Sequence, residues 1–217
     1  MDTKIEDRFG RCRLLFGEDF AKIEAAKVII FGVGGVGSFC LDALYRTGVK
    51  DITIVDSDVY EVTNQNRQIG SENIGDSKVK VLSRIYNGVK PIEMLVTPKW
   101  IDEFNFDKFD VVIDAIDDVP CKVALANKVA DKLISSMGGA KRIDPTKIKV
   151  ADIWKTNIDP FARKIRYELK KSGFKGKYLV VYSTEEPLTK GLGSFVGVTA
   201  SFGLMLSSLA IKKFLEK

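Results

Sequence analysis

The stretch VIIFGVGGVGSFCLDALYRTG, residues 28–48, constrains the fold more than any other part of this 217-residue chain. A β-branched and aromatic run meets Gly32-x-Gly34-x-x-Gly37, and a helical pattern follows at once. Strand, tight turn and helix in that order are the context a phosphate-binding glycine loop needs. Glycine lets the backbone turn and approach an anion, while the helix N-terminus offers unpaired N–H groups. A second strand ends at Asp56, nineteen residues after Gly37, where a carboxylate can accept hydrogen bonds from both ribose hydroxyls. The pair points to a bound nucleotide. It leaves open whether that nucleotide serves redox chemistry or the activation of an acid.

The rest of the chain alternates short β-branched runs with amphipathic stretches, the pattern of an α/β, Rossmann-like, mostly parallel sheet with helices on both faces. Strands are expected over 27–31, 51–55, 93–97, 110–114 and 133–137, with helices near 36–47, 77–87 and 120–132. Residues 8–26 read as a helix or a pair of helical turns. After Gly139 the texture changes. KIKVADIWKT reads as a strand, PFARKIRYELKKSG as a basic helix closed by Gly173, and YLVVYSTEEP precedes an uncharged helix over 191–211. The expectation is one domain over 1–217, with a nucleotide-binding half (1–139) and a substrate-facing half (140–217) that completes it.

Composition narrows the chemistry. There is no histidine, which removes the commonest general base and metal ligand. Cys12, Cys40 and Cys121 form no C-x-x-C pair, so neither a zinc site nor a disulfide framework is supported. The charged N-terminus lacks an apolar signal core, and a cytoplasmic protein is expected. The net charge of +5 is mild, but residues 141–177 hold twelve Lys/Arg against four acids, a local +8. Such a face suits nucleic-acid phosphates or is simply a solvated helix surface. The uncharged C-terminal stretch is long enough to span a bilayer, but its glycines and serines favour a buried helix.

DSDVYEVTNQNRQIG places Asn64, Arg67 and Gln68 just beyond Asp56, and NIGDSKVK supplies Lys78 at a helix start. Arg67 and Lys78 suit a triphosphate. The fourth strand ends in VVIDAIDDVPCK, with Asp114, Asp117 and Asp118 where open α/β sheets bind ligands. Asp117 is read as a Mg²⁺ ligand, and Asp118, two residues before Pro120, as a helix N-cap.

In this order, the glycine loop, the DSD pair, TNQNRQ, GDSKV and DAIDD resemble the ubiquitin-activating-type adenylyltransferases, which include the activators of sulfur-carrier proteins. RFGR, VTNQNRQIG, GGAKRIDPTKIKVADI and YSTEEP are most similar to that family's tRNA threonylcarbamoyladenosine dehydratase branch. The resemblance runs from about Arg8 to about Ile211 and implies an ATP-dependent activation. A carboxylate attacks the α-phosphate, and the resulting acyl-adenylate of threonylcarbamoyladenosine, beside the tRNA anticodon, closes into a ring. It further implies that Gly32, Gly34, Gly35 and Gly37 line the nucleotide loop and that Asp56 holds the ribose, with Asp58 nearby. Asn64, Arg67, Gln68 and Lys78 would position phosphates, and Asp117 would bind Mg²⁺. Arg11 would reach the partner subunit's ATP in a homodimer, with Arg13 close enough to exchange roles. The sulfur-carrier activators' zinc-binding cysteine pairs are absent, and Val180-Val181 precede YSTEE where a cysteine can stand in relatives. The alternatives are adenylation of a ubiquitin-like sulfur carrier, a scaffold that no longer catalyses and, last, an oxidoreductase. A sulfur-transfer partner protein is compatible with the resemblance; DNA is not an expected partner.

Overall fold

The computed structural model of the chain describes residues 7–191 and 193–216. Its strands are β1 (Lys27–Phe31), β2 (Asp51–Asp56), β3 (Lys90–Glu93), β4 (Val111–Asp114), β5 (Leu133–Ser136), β6 (Ile148–Asp152) and β7 (Leu179–Ser183). They form one sheet in the order β3-β2-β1-β4-β5-β7-β6, parallel throughout except for the β6–β7 pair. Val28, Ile29, Ile30 and Phe31 are all buried, because β1 lies between β2 and β4 and both sheet faces are covered. Val28, Ile30, Ile52 and Ile54 meet α2 (Phe20–Ala25), α3 (Gly37–Thr47), α4 (Lys78–Ile85) and α8 (Val196–Leu215). Ile29, Phe31, Val55 and Val112 meet α5 (Pro98–Glu103), α6 (Val119–Val129) and α7 (Pro160–Lys171). The N-terminal helix α1 (Gly10–Phe16) stops at Gly17, whose φ of 57° separates it from α2, so of the two expected forms for residues 8–26 the pair is the one found.

From β1 the chain runs outward through β2 to β3, then returns to β4 on the other side of β1. The loops after β1 and β4 therefore part company and leave a crevice at the carboxyl ends of the strands. β6, β7 and α8 join the same sheet and core, so residues beyond 139 add to this unit.

Two elements are displaced by three or more residues at both ends from the spans expected. The third strand is 90–93, not 93–97, because this edge strand is mostly exposed and contains Pro91, leaving no apolar signal to mark it. The apolar residues after it lead instead into α5, where Thr97 caps the helix by accepting from Trp100 N (3.2 Å) ahead of Pro98. The last helix begins at Val196 rather than 191. By length and composition α8 could cross a membrane, yet 56% of its apolar window is buried in the fold. The reason is Gly203. A Cβ there would stand 2.3 Å from Val36 O, so only glycine lets α8 lie against the start of α3.

Candidate active site

The glycine loop divides into two pairs with different work. At Gly32 (φ 80°) a Cβ would stand 2.8 Å from Ala115 O, and at Gly37 one would stand 1.8 Å from Gly32 O. These two make the turn itself possible. Gly34 and Gly35 instead face side chains, with Gln68 Nε2 3.5 Å and Arg67 Cγ 3.1 Å from where their Cβ atoms would be. The loop is also wired to the next strand: Asp56, half-buried at the end of β2, accepts from Val33 N (2.8 Å) through one oxygen and from Asp58 N (2.9 Å) through the other. Each oxygen keeps a lone pair for a ribose hydroxyl.

The segment after Asp56 folds back on itself. Tyr60 N donates to Asp76 O (2.9 Å) and Lys78 N to Asp58 O (3.0 Å), which brings the start of α4 beside β2. The Lys78 side chain is buried and its ammonium pairs with Asp58 at 2.9 Å, leaving two further donors on the nitrogen. Asn64 holds the turn by accepting from Glu61 N (3.0 Å), and its carbonyl receives the amides of Arg67 and Gln68. Arg67 donates to Thr63 O and to Asn66 Oδ1, both at 2.8 Å. Gln68 is buried, and its Oε1 has no hydrogen-bond partner among the described residues.

The three aspartates after β4 separate into three roles. Asp118 caps α6, accepting from Cys121 N at 2.8 Å. Asp114 is fully buried and accepts from Lys122 Nζ (2.9 Å) and Ser135 Oγ (2.6 Å). Lys122, 1% exposed, also donates to Ser136 O at 2.7 Å. Asp117 is exposed and, unlike its exposed neighbour Asp118, has no partner among the described residues. Burial, together with Asp118 beside it, pushes the Cys121 thiol up to about 12, so at neutral pH it is no nucleophile.

The two N-terminal arginines differ as well. Arg13 pairs with Asp7 (Nη1 to Oδ1, 2.7 Å) and lies over the Phe20 ring at 5.4 Å. Arg11 is exposed on α1 with no partner among the described residues.

A model of the ThiF family matches residues 10–187, which takes in the loop, Asp56, the 58–78 segment and the aspartates. The chain belongs to the ThiF family. It is 36% identical over 193 residues to the tRNA threonylcarbamoyladenosine dehydratase of Bacillus subtilis, covering 83% of this chain and 76% of that protein. To that of Escherichia coli it is 35% identical over 254 residues, covering 97% and 94%. The solved structure of the E. coli tRNA N6-threonylcarbamoyladenosine dehydratase in complex with ATP shares 38% identity with it. The TM-score is 0.90, covering 96% of this chain and 94% of that one. Within the ThiF family the chain sits in this dehydratase branch.

The ThiF-type residues present fit a nucleoside triphosphate. Gly34 and Gly35 leave the space that side chains would fill, and the unpartnered Gln68 Oε1 is an acceptor waiting for a donor. Among the described residues no group of three or more Cys, Asp or Glu could hold a metal by itself. Asp117 alone suits Mg²⁺ shared with phosphates, the usual way this ion is held by nucleotide enzymes.

Three features escaped sequence reasoning. Lys122 pairs with Asp114. Arg142, 3% exposed, reaches Glu185 O (2.9 Å) and lies 3.5 Å from the buried Asp159, the N-cap of α7. The Glu185 carboxylate, from YSTEEP, closes the 142–144 turn by accepting from Asp144 N (2.9 Å) and Ile143 N. The only signal for the first is Lys122 standing four residues, one helical turn, after the cap Asp118.

Proposed function

We propose that this chain uses ATP and Mg²⁺ to dehydrate and cyclise threonylcarbamoyladenosine in tRNA. The observation that carries the reading is the open pair Gly34–Gly35 set against Gln68 and Arg67, with Asp56 bonded into the same loop. The dehydratases of Bacillus subtilis and Escherichia coli support the choice of substrate, and the ATP complex of the latter supports the nucleotide. The substrate carboxylate, already ionised at neutral pH, attacks the α-phosphorus and expels pyrophosphate. The ureido group then displaces AMP, so the nucleoside loses one water overall. No histidine is needed, because the protein orients reactants and offsets developing charge. Arg67 and the two free donors of Lys78 face the phosphates. Mg²⁺, with Asp117 as its protein ligand, would neutralise the departing pyrophosphate. No step runs through a thiol, so adenylation with sulfur transfer on a carrier protein is the weaker reading. The three free cysteines suit a cytoplasmic setting.

The test is mass spectrometry of nucleosides from modified tRNA incubated with the protein, ATP and Mg²⁺. Loss of one water, with release of AMP and pyrophosphate, is expected only when all are present. Turnover with a ubiquitin-like carrier and none with tRNA would overturn the reading.

Arg11, without a partner among the described residues, belongs in this reading to the partner subunit's site in a homodimer. Arg11→Ala and Asp117→Ala chains should each be nearly inactive, yet refolded together they should regain about a quarter of wild-type activity, since half the dimers then hold one intact site. Assay of the mixture checks this; no recovery would place Arg11 in its own subunit's site.

A further inference from the structure

We infer that α7 is an RNA-contacting helix, with Tyr167 a stacking platform for an unpaired base and Lys164 and Lys171 holding backbone phosphates in the groove beside α6. The inference rests on the tRNA reading above and adds where the loop around the modified nucleoside would lie.

The inner face of α7 is spoken for: Ala162, Ile165 and Leu169 are buried in the core beneath it. Its outer face carries Arg163, Lys164, Lys170 and Lys171, all exposed and none in an ion pair among the described residues. The helix dipole accounts for Lys170 and Lys171 in the last turn, where cations are favoured. It does not account for Arg163 and Lys164, near the positive end of a helix with no acid in its first turn. Cations kept there against the dipole suit a polyanion. Across the sheet-spanning segment 141–177, nine of the twelve Lys/Arg are exposed, and Arg142–Asp159 is the ion pair found for them among the described residues.

Tyr167 is the second observation. It is 65% exposed, four residues after Arg163 and three before Lys170, so all three share one stripe of the helix. A large aromatic left uncovered between cations is what a single-stranded loop uses, stacking a splayed base while its phosphates meet the charges.

The third is position. A groove of about 580 Å³ separates α7 from the start of α6, with Val119, Pro120 and Val123 on one wall and Lys164, Glu168 and Lys171 on the other. Val119 is two residues from Asp117, so a strand lying in the groove leads to the candidate site. The platform is held firmly: Asp159 caps α7 by accepting from Phe161 N (2.8 Å) and Ala162 N (3.1 Å).

The experiment is a salt titration of binding by fluorescence anisotropy, using the full chain, a labelled anticodon stem-loop RNA and a fully paired duplex of equal length. Lys164→Ala/Lys171→Ala should flatten the slope of log K against log salt by about 1.4, two single-strand phosphate contacts. Tyr167→Ala should weaken binding of the stem-loop about tenfold and of the duplex little, while Tyr167→Phe retains wild-type affinity. Lys22→Ala/Lys212→Ala, removing equal charge from helices on the opposite face, should leave the slope unchanged, and ATP binding should be unaltered in every variant. An unchanged slope in the groove variant, an equal change in the opposite-face variant, or equal losses for Tyr167→Ala and Tyr167→Phe would each overturn the inference. A wild-type chain that binds no RNA would overturn it too. An acidic protein in place of RNA would show as salt-sensitive binding indifferent to Tyr167. RNA binding in the expected pattern without dehydrated product would count against the reaction and leave α7 standing. Dehydration undisturbed by the α7 variants would do the reverse.

Discussion

Asp117→Ala is expected to lower pyrophosphate release on modified tRNA by about 10²–10³-fold, the range for removing one charge-stabilising group from a transition state. Melting temperature should barely move. Asp117 is exposed and has no partner among the described residues, so its removal leaves nothing buried unsatisfied, and such surface changes stay within about 0.5 kcal/mol. Asp117→Asn keeps the shape and loses the charge, and should be nearly as inactive. Its neighbour gives the opposite pattern. Asp118→Ala removes the α6 cap, made through Cys121 N at 2.8 Å, and should cost about 1 kcal/mol of stability while activity largely survives. Pyrophosphate release and thermal melting on the same preparations check both; full activity in Asp117→Ala would remove that carboxylate from the mechanism.

Lys122→Met is expected to act almost wholly on stability, lowering it by about 3–5 kcal/mol. For a chain of this size that is a fall of roughly 10 °C in melting temperature. Lys122 and Asp114 are each 1% exposed, 2.9 Å apart. Deleting the ammonium leaves a carboxylate in the core with Ser135 Oγ and the weaker Ile116 N contact (3.3 Å) as its remaining donors. Methionine matches the length of the lysine stem, so the loss is electrostatic rather than a cavity. Adding Asp114→Asn to Lys122→Met removes the stranded charge and should restore about half the loss or more, a coupling that a double-mutant cycle of melting temperatures measures. Additive effects would show that the two charges do not depend on each other. Activity of the Lys122→Met chain should fall only where it begins to unfold, at temperatures the unaltered chain still withstands.

Much of the site was legible in sequence because it is local. Gly32 and Gly37 were readable because the strand-to-helix turn forbids a side chain there, which depends on a few consecutive residues. Asp118 was readable as a cap from its place before Pro120. The expected first strand, 27–31, coincides with β1, since a strand buried on both faces leaves an unbroken apolar run. The third strand was misplaced for the opposite reason: an exposed edge strand has no pattern to read.

From sequence, Asp117 could be chosen as the Mg²⁺ ligand, but Asp114 could be given no role of its own. Both stand at the end of β4 three residues apart, and only the burial of one beside Lys122 gives them different chemistry. The same holds for Arg11 and Arg13, told apart by Asp7 and Phe20.

By itself the sequence determined the α/β architecture, the glycine loop between strand and helix with Asp56 behind it, and a chemistry without imidazole, because these rest on periodicity, on glycine and on residue types present or absent. Tertiary structure alone decided which charges are spent and which are free. Lys78 is paired with Asp58, Lys122 with Asp114 and Arg142 with Asp159, while Asp117, Arg11 and Arg163, Lys164, Lys170 and Lys171 of α7 stand open among the described residues. A charge's partner is set by which segments the sheet order brings within about 4 Å, and that distance is not a property of any stretch of chain.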